Sequence, residues 1–152
     1  EEEAKRLLKK EFLTGEQFSM LSYSALRGFF ESELYAEIKA SPTVYREKAF
    51  TLSLPLDAVY EDVPETVTKD DTILIQGKID CFFENRDGGY TIVDFKTDRI
   101  NDASLLSERY RRQLLLYSRA VKSMTDTASV RLCLYSFHTG NCIPVDEWDE
   151  DV

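Results

Sequence analysis

The stretch GKIDCFFENRDGGYTIVDFKTD, Gly77 to Asp98, constrains the fold of this chain more than any other. Two runs rich in β-branched and aromatic residues flank an Asp87-Gly88-Gly89 turn signal. They read as antiparallel strands, about Thr72–Glu84 and Tyr90–Thr97. Side chains alternate across a strand, so one face of the pair should carry a core. On the first strand the odd positions Ile73, Ile75, Gly77, Ile79, Cys81 and Phe83 read as that face, with Gln76, Lys78 and Asp80 on the other. On the second, Val93 and Phe95 face the core while Asp94 and Lys96 share the opposite face. Asp80 joins them if the hairpin loop has an odd length. A three-residue loop, Asp87-Gly88-Gly89, meets that condition and pairs Arg86 with Tyr90 and Asp80 with Lys96. Two carboxylates and an ammonium then converge. Each taken singly reads as a solvated polar position or a plain cross-strand ion pair.

A helix follows, about Ala103–Met124, and it changes the weight of the set. Its apolar stripe runs Leu106, Tyr110, Gln113, Tyr117, Val121, Met124 in steps of three or four. Gln113 interrupts the stripe with an amide that needs partners once buried. Gln113 and Tyr117 lie one turn apart and point the same way, so both reach the acid cluster if the helix packs beside it.

The rest of the chain frames this unit. EEEAKRLLKKEF has the pattern of an amphipathic helix, with Ala4, Leu7, Leu8 and Phe12 near helical spacing, no cap and no initiator Met. It reads as cut from a longer protein. Thr14-Gly15-Glu16-Gln17 resembles a capping box. Ser24 can cap a helix through about Lys39, ended by Ser41-Pro42. Val44–Leu54 alternates as a strand, and Asp57–Asp71 reads as an acidic loop. Strands near Val130–His138 and Asn141–Val145 flank Thr139-Gly140, and DEWDEDV ends the chain as an acidic tail. The order implies an α/β domain, α+β in style, with a mixed, partly antiparallel sheet flanked by helices. The domain spans 1–152, with a helical part over 1–42 and a core over 43–146.

Taken in order, Asp80, then Asp94-Phe95-Lys96, then Gln113 and Tyr117 resemble the three motifs of the PD-(D/E)XK nucleases. The chain is most similar to the nuclease domain at the C-terminus of AddA and RecB, the bacterial ATP-dependent helicase–nucleases. That subgroup has GxID, VDYKTD and YxxQLxxY; here stand GKID, VDFKTD and YRRQLLLY. VYREKAF, with Glu47, resembles an upstream element. The resemblance spans about Val44–Val145 and implies a restriction-endonuclease-like core. It also implies DNA as substrate in double-strand-break repair, a helicase domain in the same parent chain as the only route to ATP, and a second AddB/RecC-like subunit. Gln113 and Tyr117 would then support the site and the DNA backbone. The subgroup's metal-binding His lies on an upstream helix. The only His here is His138, beside a turn, and reads as structural.

Chemistry converges on the same residues. Asp80 and Asp94 make a hard-oxygen site suited to Mg²⁺, with Mn²⁺ a possible substitute, and the Phe95 carbonyl is a plausible third ligand. Lys96 would position the attacking water or stabilise the crowded phosphate. Glu47 reads as a supporting residue, and Arg99, Arg109 and Arg112 as contacts to the DNA backbone. The alternatives are a catalytically silent nuclease fold, kept for DNA tracking or assembly, and a small-molecule metal hydrolase. Cys81, Cys133 and Cys142 are odd in number and contain no CxxC pair. They indicate no disulfide, zinc site or iron–sulfur cluster, and the plain reading is a reducing cytoplasm. No run is long enough to span a membrane. The net charge of −9 opposes autonomous capture of a polyanion, so a helicase partner should deliver the DNA and the fragment alone should cut weakly.

Overall fold

A computed structural model of the chain describes residues 1–56 and 71–146, so the acidic loop read over Asp57–Asp71 and the acidic tail lie almost wholly outside the described residues. Four short helices come first: α1 (Glu2–Lys9), α2 (Gly15–Ser19), α3 (Tyr23–Phe30) and α4 (Glu33–Ala40). Then follow β1 (Val44–Pro55), β2 (Thr72–Glu84), β3 (Tyr90–Lys96), α5 (Ala103–Thr125), β4 (Val130–Ser136) and β5 (Asn141–Val145). The five strands form one sheet in sequential order. Its pairs are antiparallel except β3 with β4, and α5 supplies the crossover that a parallel pair requires.

Helices cover the sheet on both sides. Leu106, Leu114, Tyr117, Ala120 and Val121 of α5 pack against Phe50, Leu52, Ile79, Phe82, Ile92, Leu132 and Leu134. On the other face Phe29, Leu34 and Ile38 of α3 and α4 pack against Cys81, Phe83, Val93, Cys133 and Tyr135. The face opposite Val93 and Phe95 is thus a second core. The Met124 expected on the stripe of α5 is 41% exposed, and Leu114 and Ala120 are buried in addition.

Local chemistry explains the boundaries. Thr14 and Gln17 form the reciprocal capping box that opens α2. The single helix expected from Ser24 is two helices. Ser22, not Ser24, caps α3, and Ser32 accepts from Tyr35 N–H to open α4 while donating to the carbonyl of Phe29. α1 and α2 bury no residue.

The β2–β3 loop has five residues, Asn85–Gly89, not three, with Glu84 opposite Tyr90 and Gly88 at φ 85°. Arg86 does not pair with Tyr90 because the Tyr90 N–H is bonded to Ser129 O, ahead of β4. Odd length is kept, but the register moves by two residues, so continuing the ladder sets Asp80 against Asp94 rather than Lys96. The faces of β2 also exchange along its length: Ile75 and Ile79 belong to the α5 side, whereas Cys81 and Phe83 belong to the α3–α4 side. The exchange occurs where the β1–β2 ladder skips Glu47 and Asp80, and Glu47 is left-handed there, at φ 51°. Contrary to the sequence reading, Cys133 and Cys142 form a disulfide. They sit diagonally across antiparallel β4 and β5 with Cα atoms 6.1 Å apart, within bonding range. Among the described residues no helix is long and apolar enough to cross a membrane.

Candidate active site

The site is a fork between two strands. β2 and β3 pair only from Cys81–Val93 to Glu84–Tyr90. Beyond that point β2 continues beside β1, and β3 continues beside β4 through Lys96–Ser136. Asp80 stands at the crotch. Freed from the β1 ladder, it accepts the Phe95 N–H at 3.0 Å through Oδ2, bridging the two arms. The N–H and C=O of a strand residue point to the same side, so the Phe95 carbonyl also faces this gap.

Asp94 occupies the other arm. It is 2% exposed and faces α5, since Ile92 on the same parity packs against that helix. Lys96 Nζ lies 2.6 Å from Asp94 Oδ2, with a side chain 14% exposed. No hydrogen bond of good geometry reaches Asp94 Oδ2 among the described residues, so the ammonium contact is electrostatic. Burial, the dominant cause, pushes the Asp94 carboxyl above its ordinary pKa. Lys96 opposes the shift, and the neighbouring Asp80 charge adds to it. Burying a carboxylate beside a second carboxylate costs free energy that one lysine only partly offsets.

α5 closes the site from above. Lys96 donates to Gln113 Oε1 at 3.2 Å, and Gln113 Nε2 donates to the Tyr117 hydroxyl at 2.7 Å. Gln113 is half-buried and Tyr117 buried. Chiefly through burial, the Tyr117 phenol is pushed up, with Gln113 opposing and Asp94 and Asp80 assisting, so it stays protonated. The Tyr117 ring rests edge-on against Phe50, at 5.6 Å and 78°. Phe50 in turn lies over Gly77: a Cβ there would come within 2.7 Å of the Phe50 ring. The glycine of GKID is thus space for a ring that supports the site.

The remaining candidates sit outside this cluster. Glu47 lies level with Asp80 on β1, but its exposed carboxylate pairs with Lys78 at 2.8 Å. Arg109 is held by Asp98 at 3.1 Å, and Arg99 and Arg112 are exposed. His138 is exposed in the β4–β5 turn. The sequence reading did not single out Asp98 as a site residue, and it counted Tyr110 only as core. The Tyr110 ring covers Lys96 at 3.8 Å, and its hydroxyl is bonded to Asp98. The D of KTD and the first Y of YRRQLLLY were the available signals.

Among the described residues no three His, Cys, Asp or Glu side chains converge as a metal cluster. The donors that do converge are two carboxylates and a backbone carbonyl. All are hard oxygens, and one carboxylate oxygen is buried without a hydrogen bond, a set that fits a hydrated divalent cation.

The PD-(D/E)XK nuclease superfamily model matches residues 1–142. An ATP-dependent helicase/nuclease subunit from Clostridium botulinum (strain Kyoto / Type A2) is 34% identical over 145 residues, covering 95% of this chain and 11% of the relative. The protein of the same name from Clostridium kluyveri is 33% identical over 136 residues, 90% of this chain and 11% of the relative. The chain therefore spans about a ninth of the length of these relatives. With its family motifs gathered at one strand fork beneath α5, the chain belongs to the PD-(D/E)XK nuclease superfamily.

Proposed function

We propose that this domain hydrolyses DNA phosphodiester bonds with a divalent cation, Mg²⁺ by preference, as the nuclease part of a helicase–nuclease. The observation that carries the reading is Asp94. It is a buried carboxylate with one oxygen lacking a hydrogen bond among the described residues, next to a second carboxylate and a lysine. Such an arrangement weakens a fold in isolation and becomes favourable when a cation joins it. The cation, when bound, supplies positive charge against the phosphate and acidifies a water.

The chain's own residues divide the remaining work. Asp80 and Asp94 would hold the cation from the two arms of the fork, with the Phe95 carbonyl as third donor. Lys96, anchored by Gln113, would donate to the attacking water or to a non-bridging phosphate oxygen. Tyr117 fixes the amide of Gln113 from behind. Arg99, Arg109 and Arg112 would meet the DNA backbone, and Glu47 would support the site from β1. The relatives are named for a helicase and a nuclease together. By extension, a helicase in the same parent chain would deliver DNA to a domain whose charge of −9 repels it, with ATP used only there. A role in double-strand-break repair, a second AddB/RecC-like subunit and a cytoplasmic setting complete the proposal. With two carboxylates and no third such side chain among the described residues, the 152-residue chain alone should cut weakly, and Mn²⁺ should restore part of the loss.

The test is nicking of plasmid DNA by the helicase-linked protein, in Mg²⁺ and in EDTA, with and without Asp94→Ala. Mg²⁺-dependent cutting that disappears in the variant is expected. No cutting by the linked wild-type protein would sink the proposal.

A further inference from the structure

Lys96 is enclosed on three sides. Asp94 Oδ2 lies at 2.6 Å, Gln113 Oε1 accepts from it at 3.2 Å, and the centre of the Tyr110 ring is 3.8 Å away. The carboxylate attracts the ammonium by charge, the amide oxygen accepts one N–H, and the π face takes another. The ring differs from the other two. It carries no net charge and offers no ligand atom to the fork, so its hold on the lysine does not depend on what Asp94 binds.

Tyr110 is itself fixed from behind. Its hydroxyl stands 3.0 Å from both oxygens of Asp98, and Arg109 holds the same carboxylate at 3.1 Å. Burial first, then Asp98, pushes the phenol up, so it remains a donor to that carboxylate. Asp98 lies just beyond β3, two residues after Lys96, and Tyr110 lies one helical turn before Gln113 on the same face of α5. A carboxylate after the strand thus orients a ring on the helix, and the ring orients the ammonium on the strand.

We infer that Tyr110, held by Asp98, is a positioning residue for Lys96. It keeps the ammonium aimed at the fork when the Asp94 carboxylate turns to another partner. The inference rests on the nuclease reading above, but its contact can be measured apart from cutting. Lysine side chains are labelled with ¹³C and ¹⁵N, and Lys96 is assigned by Lys96→Arg. Its ε protons should resonate upfield of the other lysines, because they lie over a ring face. Tyr110→Phe and Asp98→Asn should each reduce that shift, because both loosen the hold on the ring, and Tyr110→Leu should abolish it. Unmoved signals from the remaining lysines report that each variant is folded. In the helicase-linked protein, Tyr110→Leu should lower kcat for Mg²⁺-dependent cutting about ten- to a hundredfold with KM little changed, and Tyr110→Phe only a few-fold. A Lys96 signal that is unshifted in the wild type, or equally shifted in Tyr110→Leu, overturns the inference. So does a wild-type kcat in Tyr110→Leu. A wild type that shows the shift but cuts no DNA overturns the nuclease reading and leaves the contact standing.

Discussion

The two faces of the sheet solve the same packing problem with opposite materials. On the α3–α4 side β3 contributes Val93 and Phe95, and the surroundings are rings. Phe29 meets Phe95, Tyr135 and Phe137 with centroids 5.3, 4.9 and 5.8 Å away. On the α5 side the same strand contributes Ile92, Asp94 and Lys96, and a polar chain continues through Gln113 to Tyr117 inside an apolar frame. Among the described residues each face also holds a buried oxygen without a hydrogen bond, Tyr135 Oη on one and Asp94 Oδ2 on the other. Their neighbours differ. The phenol is ringed by Phe29, Phe95 and Phe137, while the carboxylate has an ammonium at 2.6 Å and Asp80 close enough to add to its pKa shift. A buried oxygen without a hydrogen bond signals a site when charges converge on it; among rings it is the polar tip of a packing residue.

Breaking the charged face should affect chemistry more than folding. Asp94→Ala is expected to lower Mg²⁺-dependent cutting by about a thousandfold or more, some 4 kcal/mol of transition-state stabilisation. Without metal the variant should melt close to the wild type, because the lost carboxylate was held against its desolvation cost. An Asp94→Ala protein that is unfolded, rather than folded and inactive, would place Asp94 with the packing residues. The aromatic face should behave in reverse. Phe29→Ala removes the ring at the centre of that cluster and should cost about 3–4 kcal/mol in denaturant unfolding. Its cutting rate per folded molecule should remain near that of the wild type. A large rate loss at full folding would show that the two faces are coupled.

Much of the charged face was legible in the sequence. Strand periodicity assigned Asp94 and Lys96 to one face, and an odd loop sufficed to bring Asp80 beside them. The register was not legible, because it depends on the Tyr90 N–H being taken by Ser129 near β4, a contact between residues 39 positions apart. The exchange of faces in β2 was also hidden. It follows from a left-handed Glu47 on another strand, and no local rule forces that residue to adopt a positive φ. On the aromatic face the strand residues Cys81, Phe83, Val93 and Phe95 were legible as core, but the helical rings that cover them were not. Phe29 and Phe30 are adjacent and chemically alike, yet one is buried and the other 55% exposed, and no local pattern marks which. Gly77 carries no mark of the ring it accommodates.

That ring gives a smaller test, joining the apolar frame to the charged chain. Gly77→Ala would set a Cβ 2.7 Å from Phe50 Cε1 and 2.8 Å from Cζ, so the ring must move, with Tyr117 as an edge-on neighbour. The expected cost is about 1–2 kcal/mol of stability, with a few-fold loss in cutting as Tyr117 and Gln113 shift. Equal stability and equal rate would show that Phe50 rotates freely and does not brace Tyr117.

The smallest expected effect belongs to the unpaired phenol. Tyr135 is fully buried, its hydroxyl has no hydrogen bond among the described residues, and burial alone raises its pKa. Removing an unsatisfied buried hydroxyl while keeping the ring should stabilise the fold, so Tyr135→Phe is expected to gain about 1 kcal/mol at neutral pH. The pH dependence has a definite sign. The folded pKa lies above the unfolded value of about 10, so the fold favours the neutral phenol. That contribution is fully present below the unfolded pKa and is lost as pH rises through the folded one, because only the unfolded chain ionises easily. Wild-type stability should therefore fall faster than that of Tyr135→Phe above about pH 10, and the gap between them should widen with pH. Urea unfolding of both proteins at neutral pH and at two alkaline values measures it. A variant that is less stable at neutral pH would mean that the hydroxyl has a bonded partner. A gap that does not change with pH would mean that Tyr135 ionises as readily in the fold as in the unfolded chain, and that the aromatic face is wetter than its packing implies.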